Sequence, residues 1–312
     1  MTLPVRSSIQ LLLSLATIAA IHGQTTLATG PALPHRVVKD WAKLPDGWNF
    51  GETSGVTTDK NDNVWVFNRG PHPVIQLDKN GKFLKAWTEV PIVSAHGMKV
   101  DPSGNIWTID VKGHTLFQFS PAGKIQMVFG NAGRAPGNDD SIDAFNEPTA
   151  VSFLPDGGFF VSDGYKNSRV LKFDKDGVFQ LKWGSRGTGD GQFNLVHDVA
   201  LDSKGLVYVA DRLNERVQVF DQNGKFVTKW TGLGSPWGLA FSAKENAFYI
   251  CDGKNDRIIK VNLDGQLMGV LSGPGKTQGR LHFPHHMAID SDGSLYVAEI
   301  RNWRVQKFAV PK

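Results

Sequence analysis

The chain has 312 residues, 34 of them glycine and 16 proline, with 40% hydrophobic residues, 21% charged residues and one cysteine. That mixture excludes a disordered or collagen-like chain, because enough apolar residues are present to bury a core and the glycines follow no three-residue period. Lys and Arg number 34 against 30 Asp and Glu, a formal charge of +4 without a basic run or stripe, so no nucleic-acid partner is expected.

From the N-terminus, Arg6, the apolar stretch Ile9–Ile21 and the small or polar Gly23, Gln24 and Thr25 read as a secretory signal peptide over 1–23. The apolar core is shorter than the ~20 residues of a comfortable membrane span. The mature chain is therefore expected in the periplasm or secreted, with no membrane span. Cys251 has no partner, so no internal disulfide forms and a hydrophobic core must hold the fold. Residues 24–35 read as a linker.

One unit then recurs six times over 36–312. Each copy opens with a short apolar strand and a tight turn: SGVTTDKNDN from Ser54, HGMKVDPSGN from His96, TAVSFLPDGG from Thr149, HDVALDSKGL from His197, WGLAFSAKEN from Trp237 and HHMAIDSDGS from His285. A second alternating strand follows (NVWVFN, NIWTID, GFFVSD, LVYVAD, AFYICD, SLYVAE), then a loop, a third strand, a DKNGK-like turn and a fourth strand. Four short strands per ~45 residues make one propeller blade, and the motifs resemble the NHL repeat. The sixth unit stops a strand short, after RVQKFAV, and RVVKDWAKL (Arg36–Leu44) resembles the missing piece. The expected fold is all-β: a six-bladed β-propeller of NHL repeats, its ring closed by an N-terminal strand.

Strand parity places the start of strand one and the loop between strands two and three on one face, and the tight turns on the other. Strand-one starts carry Ser54, His96, Thr149, His197, Trp237 and His285. The histidines fall in alternate units, so His96, His197 and His285 converge on the axis as a three-nitrogen ligand set with an open fourth position, a pattern of catalytic zinc. The plainer alternative is polar lining of a wet channel. On the same face stand Arg69, able to hold a carboxylate, and Tyr165, able to act as a base if a cation lowers its pKa; each also reads as an ordinary loop residue. Arg212 and Arg301 line the rim, with Trp237 and Phe283 as an apolar patch. Arg169, Arg216, Arg257 and Arg304 sit at a recurring position and read as structural ion-pair residues.

With these residues the chain resembles the peptidyl-α-hydroxyglycine α-amidating lyase family. The resemblance rests on FNRG around Arg69, HGMKVDPSGNIWTIDV around His96, SDGYKNSRV around Tyr165, GQFNLVHDVALD around His197, VADRLNERVQVF, and FPHHMAIDSDGSLYVAE around His285. It implies zinc on the three histidines, catalytic roles for Arg69 and Tyr165, and cleavage of a peptidyl-α-hydroxyglycine to a peptide amide and glyoxylate without a redox cofactor. The substrate is then a small molecule or peptide. The family's calcium would fall to the carbonyls of Val56 and Met98, but His286 stands where that family has an Asp. Phe283 replaces a family Met, and Lys166 follows Tyr165 where the family has a cysteine. Two other readings compete: a non-catalytic NHL scaffold binding a peptide, glycan or protein, and a calcium-type lactonase propeller, which the histidines disfavour.

Overall fold

The computed structural model describes residues 27–132 and 136–311, so the expected signal peptide lies outside the described residues. Strand β1 (Arg36–Val37) precedes blade one, which comprises β2 (Thr53–Thr58), β3 (Val64–Asn68), β4 (Val74–Leu77) and β5 (Phe83–Trp87). Blade two comprises β6 (Ala95–Val100), β7 (Ile106–Asp110), β8 (Thr115–Phe119) and β9 (Ile125–Gly130). Blade three comprises β10 (Pro148–Phe153), β11 (Phe159–Asp163), β12 (Arg169–Phe173) and β13 (Phe179–Trp183). Blade four comprises β14 (Val196–Leu201), β15 (Val207–Asp211), β16 (Arg216–Phe220) and β17 (Phe226–Thr231). Blade five comprises β18 (Pro236–Ser242), β19 (Ala247–Asp252), β20 (Arg257–Asn262) and β21 (Leu267–Leu271). Blade six comprises β22 (Pro284–Ile289), β23 (Leu295–Glu299) and β24 (Arg304–Ala309), and β1 completes it as the fourth strand.

The six antiparallel sheets form a propeller, as the repeat pattern requires. Alternating apolar residues on both faces of each blade interleave with the next blade, so the core is a ring of interblade layers. Trp107, Ile109 and Leu116 of blade two, for instance, pack on Phe145, Val151, Phe159 and Leu171 leading into and within blade three. Only the outermost strands show exposed positions along their length, as in β5 and β9.

Ring closure is shorter than the sequence suggests. Arg36 and Val37 pair with Ala309 and Phe308, and the chain then turns at Asp40 in a left-handed conformation with φ of 50°. Trp41 is thereby inserted between blades six and one, where its Nε1 donates to the Lys79 carbonyl at 3.1 Å. Within the stretch read as a linker, residues 31–33 run beside β21: Val270 N–H donates to Pro31 O, and Leu33 N–H to Val270 O, both at 2.9 Å. Leu33 and His35 are buried there.

The recurring arginines are structural, as expected. In blades three to six the last residue of strand two grips the first residue of strand three: Asp163–Arg169 at 2.9 Å, Asp211–Arg216 at 2.7 Å, Asp252–Arg257 at 2.8 Å and Glu299–Arg304 at 2.7 Å. The same guanidinium groups donate to carbonyls of the incoming loops, including Ala144 O, Gln192 O, Leu233 O and Arg280 O. Each pair therefore ties a blade to the connection that enters it. Arg169→Ala leaves the fully buried Asp163 carboxylate without its partner and is expected to cost about 3–5 kcal/mol. Equilibrium unfolding in guanidinium chloride measures that cost, and a wild-type midpoint would show the pair to be dispensable.

Candidate active site

Every innermost strand carries a bulge near its start. The residues skipped in the pairing of strands one and two are Ser54, Thr149, His197 and Trp237 and, in blades two and six, His96–Gly97 and His285–His286. A bulge re-aims the side chain and withdraws its backbone from the ladder. All six strand-one positions identified in the sequence are thus bulge residues.

The structure brings His96, His197 and His285 together, fully buried, with one ligand nitrogen from each inside a group no wider than 4.8 Å. Ring centroids lie 4.8, 4.6 and 4.7 Å apart, close to an equilateral triangle. Each Nδ1 lies 2.7 Å from the carbonyl of the bulge residue in the following blade: His96 to Thr149, His197 to Trp237 and His285 to Ser54. A carbonyl only accepts, so Nδ1 carries the proton and Nε2 keeps a lone pair turned inward. Close approach of the strands is needed for this, and glycine allows it: a Cβ on Gly97 would sit 2.5 Å from the Thr149 carbonyl. Burial pushes all three imidazoles well below their ordinary pKa, and repulsion among the clustered histidines acts in the same direction. Three neutral, oriented nitrogen donors suit a divalent transition-metal ion with an open position.

Tyr165, two residues beyond β11, caps this triad. Its hydroxyl lies 3.2 Å from His96 Nε2 and 3.3 Å from His197 Nε2, and accepts from Arg212 Nη1 at 3.4 Å. Burial raises the phenol pKa, and Arg212 and then Arg69 oppose that rise without overcoming it. Arg212 begins a short 3-10 turn, Arg212–Asn214, and its guanidinium lies 3.6 Å over the Trp237 ring with no carboxylate partner among the described residues. Arg69 differs: Nη1 meets Glu52 Oε2 at 2.7 Å, and Nε donates to the carbonyl of Ala95, the neighbour of His96, at 3.1 Å. Phe283 stands edge-on to Trp237 at 4.9 Å, and Arg301 lies 4.2 Å over Phe283.

One contact, repeated in blades one, three, four and six, puts these loop residues beside the triad. Arg69 N–H donates to Glu52 O, Tyr165 N–H to Glu147 O, Arg212 N–H to Leu195 O and Ile300 N–H to Phe283 O. Each acceptor precedes its bulge position by two residues. Glu147, Leu195 and Phe283 hold left-handed φ values of 60, 68 and 58°, strain of the kind concentrated at functional sites.

Below the triad, His286 Nδ1 lies 2.8 Å from Ser54 O, and its buried Nε2 faces Asp198 Oδ2 at 3.9 Å without a hydrogen bond. Both Asp198 oxygens already accept backbone N–H groups, from Val199 at 2.8 Å and Leu239 at 2.7 Å. Val56 and Met98 are buried on β2 and β6. An imidazole in place of an oxygen donor, beside an engaged carboxylate, does not fit calcium. Glu52 and Asp198 escaped the sequence reading; aligning residues two before each bulge would have exposed Glu52.

A family model described as the NHL repeat matches residues 145–173 and 193–220. Human NHL repeat-containing protein 3 is 30% identical over 306 residues, covering 88% of this chain and 84% of that protein. The chain belongs to the NHL-repeat family. A probable peptidyl-alpha-hydroxyglycine alpha-amidating lyase of Caenorhabditis elegans is 25% identical, with 82% of each chain covered. Peptidyl-glycine alpha-amidating monooxygenase B of Xenopus laevis is 28% identical over 88% of this chain, which spans about a third (35%) of that protein's length. A solved streptogramin B lyase shares the fold, with a TM-score of 0.62, 15% identity, and 85% of this chain and 95% of that one covered.

Two measurements test the triad. His197→Ala removes one of three donors and is expected to reduce bound metal, by elemental analysis of the purified protein, from one per chain to near none; full metal content would break the assignment. In the metal-free chain the three histidines stay neutral below their ordinary pKa of 6.5 while the unfolded chain takes up protons. Stability is therefore retained above pH 6.5 and lost as pH falls below it, by up to about 1.4 kcal/mol per pH unit for each histidine. Urea midpoints at pH 7.5 and 5.5 read this directly, and equal midpoints would contradict it.

Proposed function

We propose that this protein is an exported, zinc-dependent lyase that splits a peptidyl-α-hydroxyglycine into a peptide amide and glyoxylate. The observation that carries this reading is the meeting of the Tyr165 hydroxyl, two inward-facing histidine nitrogens and the Arg212 guanidinium at 3.2, 3.3 and 3.4 Å. Relatives named as amidating lyases support the substrate class.

Zinc held by His96, His197 and His285 would supply Lewis acidity toward the substrate's oxygens and positive charge that lowers the pKa of nearby hydroxyls. Arg212, whose guanidinium lies over the Trp237 ring and meets no carboxylate among the described residues, would receive the substrate carboxylate. Arg69, neutralised by Glu52 and anchored on Ala95 O, offers N–H donors to the substrate amide rather than free charge. Tyr165, acting as its phenolate, takes the proton of the carbinol hydroxyl. As the C–O bond becomes the aldehyde of glyoxylate, the C–N bond breaks, its electron pair goes to nitrogen, and the proton held by Tyr165 completes the amide. Trp237 and Phe283 shield this transfer from water.

Purified protein is expected to release glyoxylate from α-hydroxyhippurate when zinc is present and to stop after chelation. Tyr165→Phe is expected to keep its zinc and lose turnover by roughly 100-fold or more. Undiminished turnover in that variant would remove Tyr165 from the proton path. A folded, zinc-loaded protein that releases nothing would favour a non-catalytic propeller that binds a peptide, glycan or protein. That second reading draws on the 30% identity to a relative whose name states a repeat and no reaction.

A further inference from the structure

Resting on the lyase reading, we propose that the cleft between blades six and one is the subsite for the residue preceding the hydroxyglycine, and that it takes an aromatic or large apolar side chain. The cleft measures about 510 Å³ and is walled by Trp48, Phe50, His72 and Trp303, with Glu52 and Arg69 at its inner end. Trp48 and His72 stack at 3.3 Å with their planes 7° apart, forming a flat platform. Trp303 stands 58% exposed on the turn between β23 and β24, in a left-handed conformation with φ of 50°. A large aromatic ring left this open in a cleft that Arg69 also lines is apolar surface that a ligand can cover.

Two observations fix the occupant. The cleft borders the active site, because Arg69 lines it and also bonds to the carbonyl next to His96. Its charged residues, Glu52 and Arg69, neutralise one another at 2.7 Å, so it calls for no charge on the side chain it receives. The direction of the chain follows from the ring. Arg212 leaves blade four, which lies opposite blade one in a six-bladed propeller. A substrate with its carboxylate at Arg212 and its hydroxyl at Tyr165 carries its amide across the axis toward Arg69, and the next side chain arrives over the Trp48–His72 platform.

The test compares N-acylated substrates ending in Phe-hydroxyglycine, Gly-hydroxyglycine and Asp-hydroxyglycine on the zinc-loaded protein, together with titration of the unreactive Phe-Gly and Gly-Gly analogues by calorimetry. The Phe substrate is expected to exceed the Gly substrate in kcat/KM by about tenfold or more, with Asp no better than Gly. Trp303→Ala is expected to bring the Phe-to-Gly ratio close to one, and Trp303→Phe to restore part of it; a general loss of structure would lower both substrates together. Equal kcat/KM for Phe and Gly in the wild type, or an unchanged ratio in Trp303→Ala, would overturn the subsite. Preferential binding of the Phe-Gly analogue with no glyoxylate from any substrate would instead sink the lyase reading and leave the cleft standing.

Discussion

A bulge at the start of each innermost strand is the constraint from which the rest of this molecule follows. It withdraws one or two residues per blade from the sheet ladder, and a backbone carbonyl buried without a ladder partner must find a donor elsewhere. In blades one, three and five those carbonyls belong to Ser54, Thr149 and Trp237, and the donors are the Nδ1–H groups of His285, His96 and His197. The debt of the backbone and the orientation of the imidazoles are thus settled by the same three hydrogen bonds. Each bond also crosses from one blade to the next, so a blade that shifted would carry a ligand nitrogen with it.

The same arrangement sets the electrostatics. Three imidazoles and the half-buried Arg212 crowd one spot, with Arg69 exposed beside it, and burial opposes positive charge on the histidines and on Arg212. The histidines respond by staying neutral, which leaves their inner nitrogens as lone-pair donors. Arg69 is balanced by Glu52, and among the described residues the Arg212 side chain meets a phenol and an indole face but no carboxylate. That asymmetry between two arginines on opposite blades gives the site a direction, with a guanidinium that meets no carboxylate among the described residues over blade four and a charge-balanced, aromatic end over blade one.

Outside the centre, buried ion pairs such as Asp163–Arg169 and Glu299–Arg304 do for the loops what the interblade layers do for the strands. They pin each incoming connection to the blade it enters, and those connections end at the strained residues Glu147, Leu195 and Phe283 that flank the site. Closure by β1, together with Trp41 between the first and last blades, completes the ring without a disulfide.

The period of the repeat made the blades, the ring and the alternation of histidines legible, because these depend on local strand and turn chemistry copied six times. The recurring arginines were legible for the same reason. His96, His197, His285 and Tyr165 were readable as neighbours once parity had assigned them to one face. The Glu52–Arg69 pair, the isolation of Arg212, the His286–Asp198 gap and the Trp48–His72 stack were not, since each joins residues from different units or from outside the repeat. The early end of β1 at Asp40 and the docking of residues 31–33 on blade five were hidden likewise. A repeated sequence by itself determined which residues face the axis; only the tertiary structure decided which of them touch, because contact depends on the bulges and loop bends that break the period.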